Sequence, residues 1–224
     1  MKLEITLLLG TLAGLFQFLG YIYYLRIKSI EPEPLTWFMF AYGTAILTIL
    51  EWDSKAVSAE LILPVVCSLL AIYVSWKCWK SARISDPSKW WPEDWWPEDK
   101  WERYSLVSDL FITIGYISIW TFTASVILSD IGHGYAVFFF LVLSNISTFP
   151  SFYPLIKRAY LYPEKEHSLP WTLWAIAYTI LAVLTFMLHG IFFHILMFYP
   201  VSNALLHGAV AVVARPQRKK AVEA

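Results

Sequence analysis

The side chains able to do chemistry in this chain are few, and they lie in otherwise apolar runs. Gln17, Asn145 and Asn203 are amides, Ser144 and Thr148 add hydroxyls, and Asp109 is an acid inside an apolar stretch. Amides offer donors and acceptors together, and the indole faces of Trp37 and Trp171 cover apolar surface on a bound molecule. A set of this kind recognises a small neutral polar solute. It holds no nucleophile–base arrangement, no Walker loop, no HExxH and no G-x-S-x-G, so catalysis is not expected. Cys67 and Cys78 both sit in apolar surroundings and suggest neither a disulfide framework nor a zinc site. Asp109 lies close in sequence to Arg103, with Arg83 upstream, which points to an ion pair or a helix-start role.

His189, His194 and His207 raise a different chemistry. His189 and His194 are five residues apart and do not share a helix face well, whereas His207 shares a face with His189 about five turns away. No metal site and no cofactor is expected from such spacing. Ligation of a pigment or haem by one of the three belongs only to a reading of the chain as a subunit of a larger complex. The last apolar stretch contains no lysine, so a retinal Schiff base is excluded.

These groups must be held by helices in a bilayer. Of 224 residues, 58% are apolar and 15% charged, against roughly 25% charged in a soluble domain, and the mean hydropathy is +0.55. Crossing a hydrocarbon core of about 30 Å takes roughly 20 apolar helical residues. Seven stretches fit, near residues 3–25, 35–51, 59–79, 104–128, 134–156, 168–188 and 190–213. The expected class is an all-α membrane protein whose partner is the lipid bilayer. The first stretch lacks a small-residue cleavage site and reads as a retained span. The net charge is zero, so no nucleic-acid footprint is present.

Charge assigns the sides. With seven spans, 15 of the 17 Lys and Arg fall on one side, and only Lys2 and Lys55 on the other. Lys and Arg stay in the cytoplasm, so the N-terminus is expected outside and the C-terminus inside, in the inner membrane of a bacterium. Glu4, Glu51, Asp53, Glu60 and Asp130 collect on the outer side.

The chain also repeats itself. "YYLRIKSIEPEPLTWFMFAYGTAILTIL" and "PLIKRAYLYPEKEHSLPWTLWAIAYTILAVL" share a span end, a basic pair, a Pro/Glu-rich turn, a Trp and an apolar run. Trp37 matches Trp171. Aligning the basic pairs puts Gln17 over Thr148, and "LPVVCSLL" over "YPVSNALL" puts Pro64 over Pro200 and Cys67 over Asn203. Spans 1–3 thus repeat as spans 5–7. Span 4 joins two like-oriented units about an axis along the membrane normal. The organisation reads as a first three-helix repeat at 1–79, a connector at 80–103, a linker helix at 104–128, a second repeat at 134–213 and a basic tail at 214–224. Matching polar positions then face one another: Gln17 with Thr148, Cys67 with Asn203 and Trp37 with Trp171, with Asn145 close by. Pro64 and Pro200 each remove a backbone hydrogen bond in mid-span and are candidate hinges.

This 3-1-3 arrangement, with its N-terminus out and a basic pair after the first helix of each copy, resembles the SWEET/PQ-loop superfamily. The superfamily's Pro-Gln pair stands as Pro154-Leu155 in the second copy and Tyr23-Tyr24 in the first. Val65 and Val201 follow the matched prolines where sugar exporters carry Asn, so sugar transport is not implied. The turn "YLYPEKE" is most similar to that of short bacterial members without an assigned activity. The resemblance implies a seven-helix fold and facilitated passage of a small polar solute through a cavity between the repeats. The competing reading is a non-catalytic accessory or structural subunit of a larger membrane complex, packing through the Trp-rich loop at 90–101 and lipid-facing aromatics.

The connector holds a tandem duplication, "WWPEDWWPEDKW" at 90–101, with five of the chain's 12 tryptophans. Tryptophan favours the headgroup layer, and the Glu-Asp pairs can start helical turns. The segment reads as an interfacial anchor. The alternative is a docking surface for a membrane-protein partner.

Overall fold

The computed structural model describes residues 3–26, 34–54, 56–85, 99–124, 130–163, 166–189 and 194–215. Seven helices are present among them: α1 (Leu3–Arg26), α2 (Pro34–Asp53), α3 (Ser58–Ser85), α4 (Lys100–Ala124), α5 (Asp130–Leu161), α6 (Ser168–His189) and α7 (His194–Val213). They follow the expected spans, with α3 and α5 running several residues further at their C-terminal ends. Residues 125–129, 190–193 and most of the tail, 216–224, lie outside the described set.

Five of these helices are long and apolar enough to cross a membrane: Leu3–Arg26, Ser58–Lys80, Gly132–Leu161, Ser168–His189 and Leu196–Val213. The chain is accordingly read as an integral membrane protein. Helix α4 is more polar, and α2, though largely apolar, carries acids at its C-terminal end. Helix α2 carries Thr36, Thr44, Thr48, Glu51 and Asp53, and α4 carries Glu102, Arg103 and Asp109.

On α1 the inward face is mostly small and polar, with two tyrosines, and the outward face is apolar. The buried stripe is Thr6, Gly10, Ala13, Gly14, Gln17, Gly20, Tyr21 and Tyr24, a spacing of three and four that marks one helix face. Leu8, Leu15 and Phe18 are exposed on the other. Helices in lipid gain nothing by hiding leucine from one another, so small residues that permit close approach occupy the contacts. At Gly10 a Cβ would stand 2.3 Å from the carbonyl oxygen of Ala59, which fixes how closely α1 crosses α3.

The packing has a recurring pattern. In the first half α3 touches both α1 and α2; in the second, α7 touches both α5 and α6. Across the halves α1 packs on α6 and α2 on α5, while α4 lies mainly against α5 and also touches α2. Contacts at the helix ends fix direction. At one end Asp53, closing α2, accepts a hydrogen bond from Tyr116 at 2.9 Å and lies 2.9 Å from His133 near the start of α5. At the same end Glu60, opening α3, meets His189, closing α6, at 3.2 Å. At the other end Thr36 of α2 donates to Glu102 of α4 at 3.2 Å, and Tyr23 of α1 lies beside His167, just before α6. Helices consecutive in sequence therefore run in opposite directions.

Candidate functional site

A cavity of about 50 Å³ lies where the two halves meet. Helices α1 and α6 bring Tyr21, Trp171, Trp174 and Tyr178 to it, and α2 brings Trp37 and Phe40. Helix α5 adds Phe152 and the hydroxyls of Ser144, Ser147 and Thr148. The remaining polar lining comes from Cys67 on α3, Asn203 and His207 on α7, and Asp109 on α4. Of the residues nominated from the sequence, Asn203, Thr148, Trp37, Trp171 and Cys67 come together here.

Two nominated residues do not line this cavity. Gln17 is only 1% exposed, and its side-chain oxygen has no hydrogen-bond partner. Its backbone carbonyl accepts the indole N–H of Trp174 at 3.1 Å, so this position serves the α1–α6 contact. Asn145 is turned back on its own helix, donating to the carbonyl of Leu141 at 2.8 Å, with its side-chain oxygen buried and unpartnered. Equal depth along a helix does not ensure an equal facing, because a rotation of one residue moves a side chain by about 100°. Pro64 and Pro200 lie inside α3 and α7, which continue through them; α5 contains Pro150 and Pro154 as well.

The rings form matched contacts. Tyr21 lies 5.6 Å from Trp37, and the residues matched to them, Phe152 and Trp171, lie 6.4 Å apart. Trp37 lies 5.9 Å from Phe40, and their counterparts Trp171 and Trp174 lie 4.7 Å apart. Between the halves, Tyr21 meets Trp174 at 4.8 Å while Phe152 meets Phe40 at 5.3 Å. Such tilted and edge-to-face pairs are favourable beyond their buried area.

The expected histidine positions divide. His189 sits at the helix ends beside Glu60 and away from the cavity. His194 opens α7, and its side chain lies outside the described set. His207 is at the centre, with Phe152, Tyr178, Trp171 and Trp174 at ring distances of 4.8 to 5.9 Å. Its Nδ1 lies 2.8 Å from the backbone carbonyl of Asn203. A carbonyl only accepts, so Nδ1 carries the proton, and Nε2 of the neutral ring keeps its lone pair.

Asp109 departs from the sequence-based expectation. Among the described residues it makes no pair with Arg103, and the side chain of Arg83 lies outside the described set; its Oδ1 accepts a hydrogen bond from Ser147 of α5 at 2.7 Å. A Cβ at Gly43 would come 3.2 Å from Oδ2, so the missing side chain on α2 makes room for the carboxylate at the α2–α4 contact. The helical period shows that Asp109 is inside a span, but only the packing of α4 on α5 turns it to the cavity. Tyr21, Trp174, Tyr178 and Phe152 were missed because aromatics in apolar runs read as lipid-facing residues. The three-residue spacing from Trp37 to Phe40 and from Trp171 to Trp174 was the available signal.

Near the mouth of the second half, Glu166 accepts the indole N–H of Trp171 at 3.1 Å. Burial pushes its carboxyl above the usual carboxylate range, against the opposing pull of the Trp171 N–H and of Arg158. In the connector, residues 86–98 lie outside the described set, and with them four of the five tryptophans of the duplication. The fifth, Trp101, packs on Tyr104 and Tyr153, while Asp99 accepts the Trp101 backbone N–H at 2.7 Å and caps α4. No protein-family model matches the chain, and neither a curated protein nor a solved structure does.

Proposed function

We propose that the chain is a facilitative transporter of SWEET/PQ-loop-like 3-1-3 build, with its N-terminus outside and C-terminus inside a bacterial inner membrane. It passes a small solute through the cavity between its halves. The observation that carries this reading is a cavity lined from both halves by matched residues, Trp37 with Trp171 and Cys67 with Asn203. The duplicated helix pairings, the matched ring contacts and the alternating helix directions support it. A packed seam of leucine and phenylalanine is what an inert scaffold would need. Here the seam instead holds hydroxyls, an amide, an imidazole and a carboxylate around space for a few water molecules. Polar groups at membrane depth face a cavity or a partner.

Cys67 gives a direct test. In a Cys78→Ser background it is the single thiol of the chain. In sealed vesicles of known orientation, a water-soluble methanethiosulfonate should label Cys67 in the folded protein from at least one side. Labelling only after denaturation would remove the transporter reading.

A second reading, an accessory subunit of a larger complex, is favoured by a groove of about 580 Å³ between α2 and α4. It is lined by Ile49, Trp52, Asp53, Tyr116, Ile117 and Trp120, and Trp52 is 73% exposed. Gentle extraction from the native membrane would return stoichiometric partners under that reading and the chain alone under the first.

A further inference from the structure

The polar lining of the cavity has a chemical sign. Many of its donors are already committed inward. Thr44 donates to the carbonyl of Phe40 at 2.6 Å, Thr148 to that of Ser144 at 3.1 Å, and Asn203 Nδ2 to that of Tyr199 at 3.0 Å. His207 spends its Nδ1 proton on the carbonyl of Asn203, and the Trp174 indole N–H is spent on Gln17. The cavity is therefore richer in acceptors than in donors: hydroxyl lone pairs, an imidazole lone pair and the carboxylate of Asp109 outnumber the Ser144 hydroxyl and the second N–H of Asn203.

Asp109 is 5% exposed, and its one side-chain hydrogen bond among the described residues comes from Ser147. Among the described residues no Lys, Arg or His pairs with it. A carboxylate in apolar surroundings with a single hydroxyl donor is costly unless a proton or a nearby positive charge neutralises it. Around the same space stand the rings of Tyr21, Trp37, Phe152, Trp171, Trp174 and Tyr178. Aromatic faces attract cations and also cover the alkyl groups that such a cation carries.

We infer that this cavity binds a small organic ammonium ion, its charge against Asp109 and its methyl or methylene groups against the surrounding rings. The inference rests on the reading of the cavity as a solute site and replaces the neutral solute expected from the sequence. A neutral polyol needs donors as much as acceptors, and the lining offers few donors. An anion would meet Asp109 directly. A hydrated metal ion would leave the rings unused. A space of about 50 Å³ restricts the ion to a few heavy atoms unless the halves part.

The test compares two probes of equal heavy-atom count, tetramethylammonium and tert-butanol, by equilibrium dialysis against the full chain in a non-ionic detergent. Tetramethylammonium should bind saturably and at least about ten-fold more tightly than tert-butanol. Asp109→Asn should bring the two within about two-fold. Should that variant not fold, the comparison on the unaltered chain still decides. Equal binding, a preference for tert-butanol, no binding of either probe, or a preference that survives in Asp109→Asn would overturn the proposal. Cys67 labelling separates the two readings. If Cys67 is reached by water-soluble reagent but tetramethylammonium is not preferred, the ammonium assignment falls and the solute cavity stands. If Cys67 is not reached and neither probe binds, both fall.

Discussion

The indole nitrogen of Trp174 donates to the backbone carbonyl of Gln17 at 3.1 Å, and it does so directly over Gly20. A Cβ at Gly20 would lie 2.3 Å from that nitrogen. The Trp174 ring is also packed against Tyr21, Tyr24, Trp37, Trp171 and His207, so moving it would disturb several contacts. The α1–α6 contact between the halves therefore depends on one absent side chain.

Gly20→Ala should destabilise the folded protein by about 1–3 kcal/mol through overpacking. Trp174→Phe keeps a ring but loses the hydrogen bond, and should cost about 0.5–1.5 kcal/mol. Thermal unfolding in detergent measures both. Gly20→Ala unfolding at the native temperature would show that the contact is not tight.

Two further glycines should respond in opposite senses. At Gly10 the obstacle is the backbone of Ala59, which no rotamer change relieves, so Gly10→Ala should cost about 1–3 kcal/mol. At Gly208 a Cβ meets nothing within 4 Å. Gly208→Ala should be neutral or stabilise by up to about 1 kcal/mol, since glycine carries the larger entropy loss inside a helix. The unfolding midpoint of Gly10→Ala should fall below the parent's, and that of Gly208→Ala should match or exceed it.

Glu166 predicts a pH dependence. Its carboxyl is raised in the folded state, with burial as the main cause and the Trp171 N–H and Arg158 opposing. The folded chain then holds this proton more tightly than the unfolded chain. Between the ordinary glutamate value and the raised one, the unfolded chain binds fewer protons, so stability falls as pH rises and levels off above the raised value. Glu166→Gln should remove that part of the slope while keeping an acceptor for Trp171. Unfolding profiles of the two proteins measured across the weakly acidic range should converge at the acid end and separate as pH rises. Parallel profiles would contradict the assignment.

At the start of α4, Asp99 accepts the Trp101 backbone N–H. Asp99→Ala should cost about 0.5–2 kcal/mol, and Asp99→Ser much less, because serine also caps. Because α4 presents Asp109, loss of the cap should also weaken any tetramethylammonium binding, in proportion to the fraying seen by hydrogen exchange at 99–103.

Much of the architecture was legible from the residues. A polar backbone in lipid must close its own hydrogen bonds, so long apolar runs bounded by charge could only be helices. The register of Trp37 on Trp171, and of Pro64 and Cys67 on Pro200 and Asn203, was visible because proline and tryptophan are rare enough to align. What stayed hidden was facing. Gln17 and Thr148 align in sequence, yet only Thr148 lines the cavity, and Asn145 is not part of the lining but donates to the carbonyl of Leu141. Asp109 had a plausible arginine partner in sequence and a serine partner in space. Periodicity places a residue on its own helix, whereas rotation about that axis is decided by close contacts such as Gly10 on Ala59 and Gly20 on Trp174. These contacts form between segments far apart in the chain, so no local pattern of residues records them.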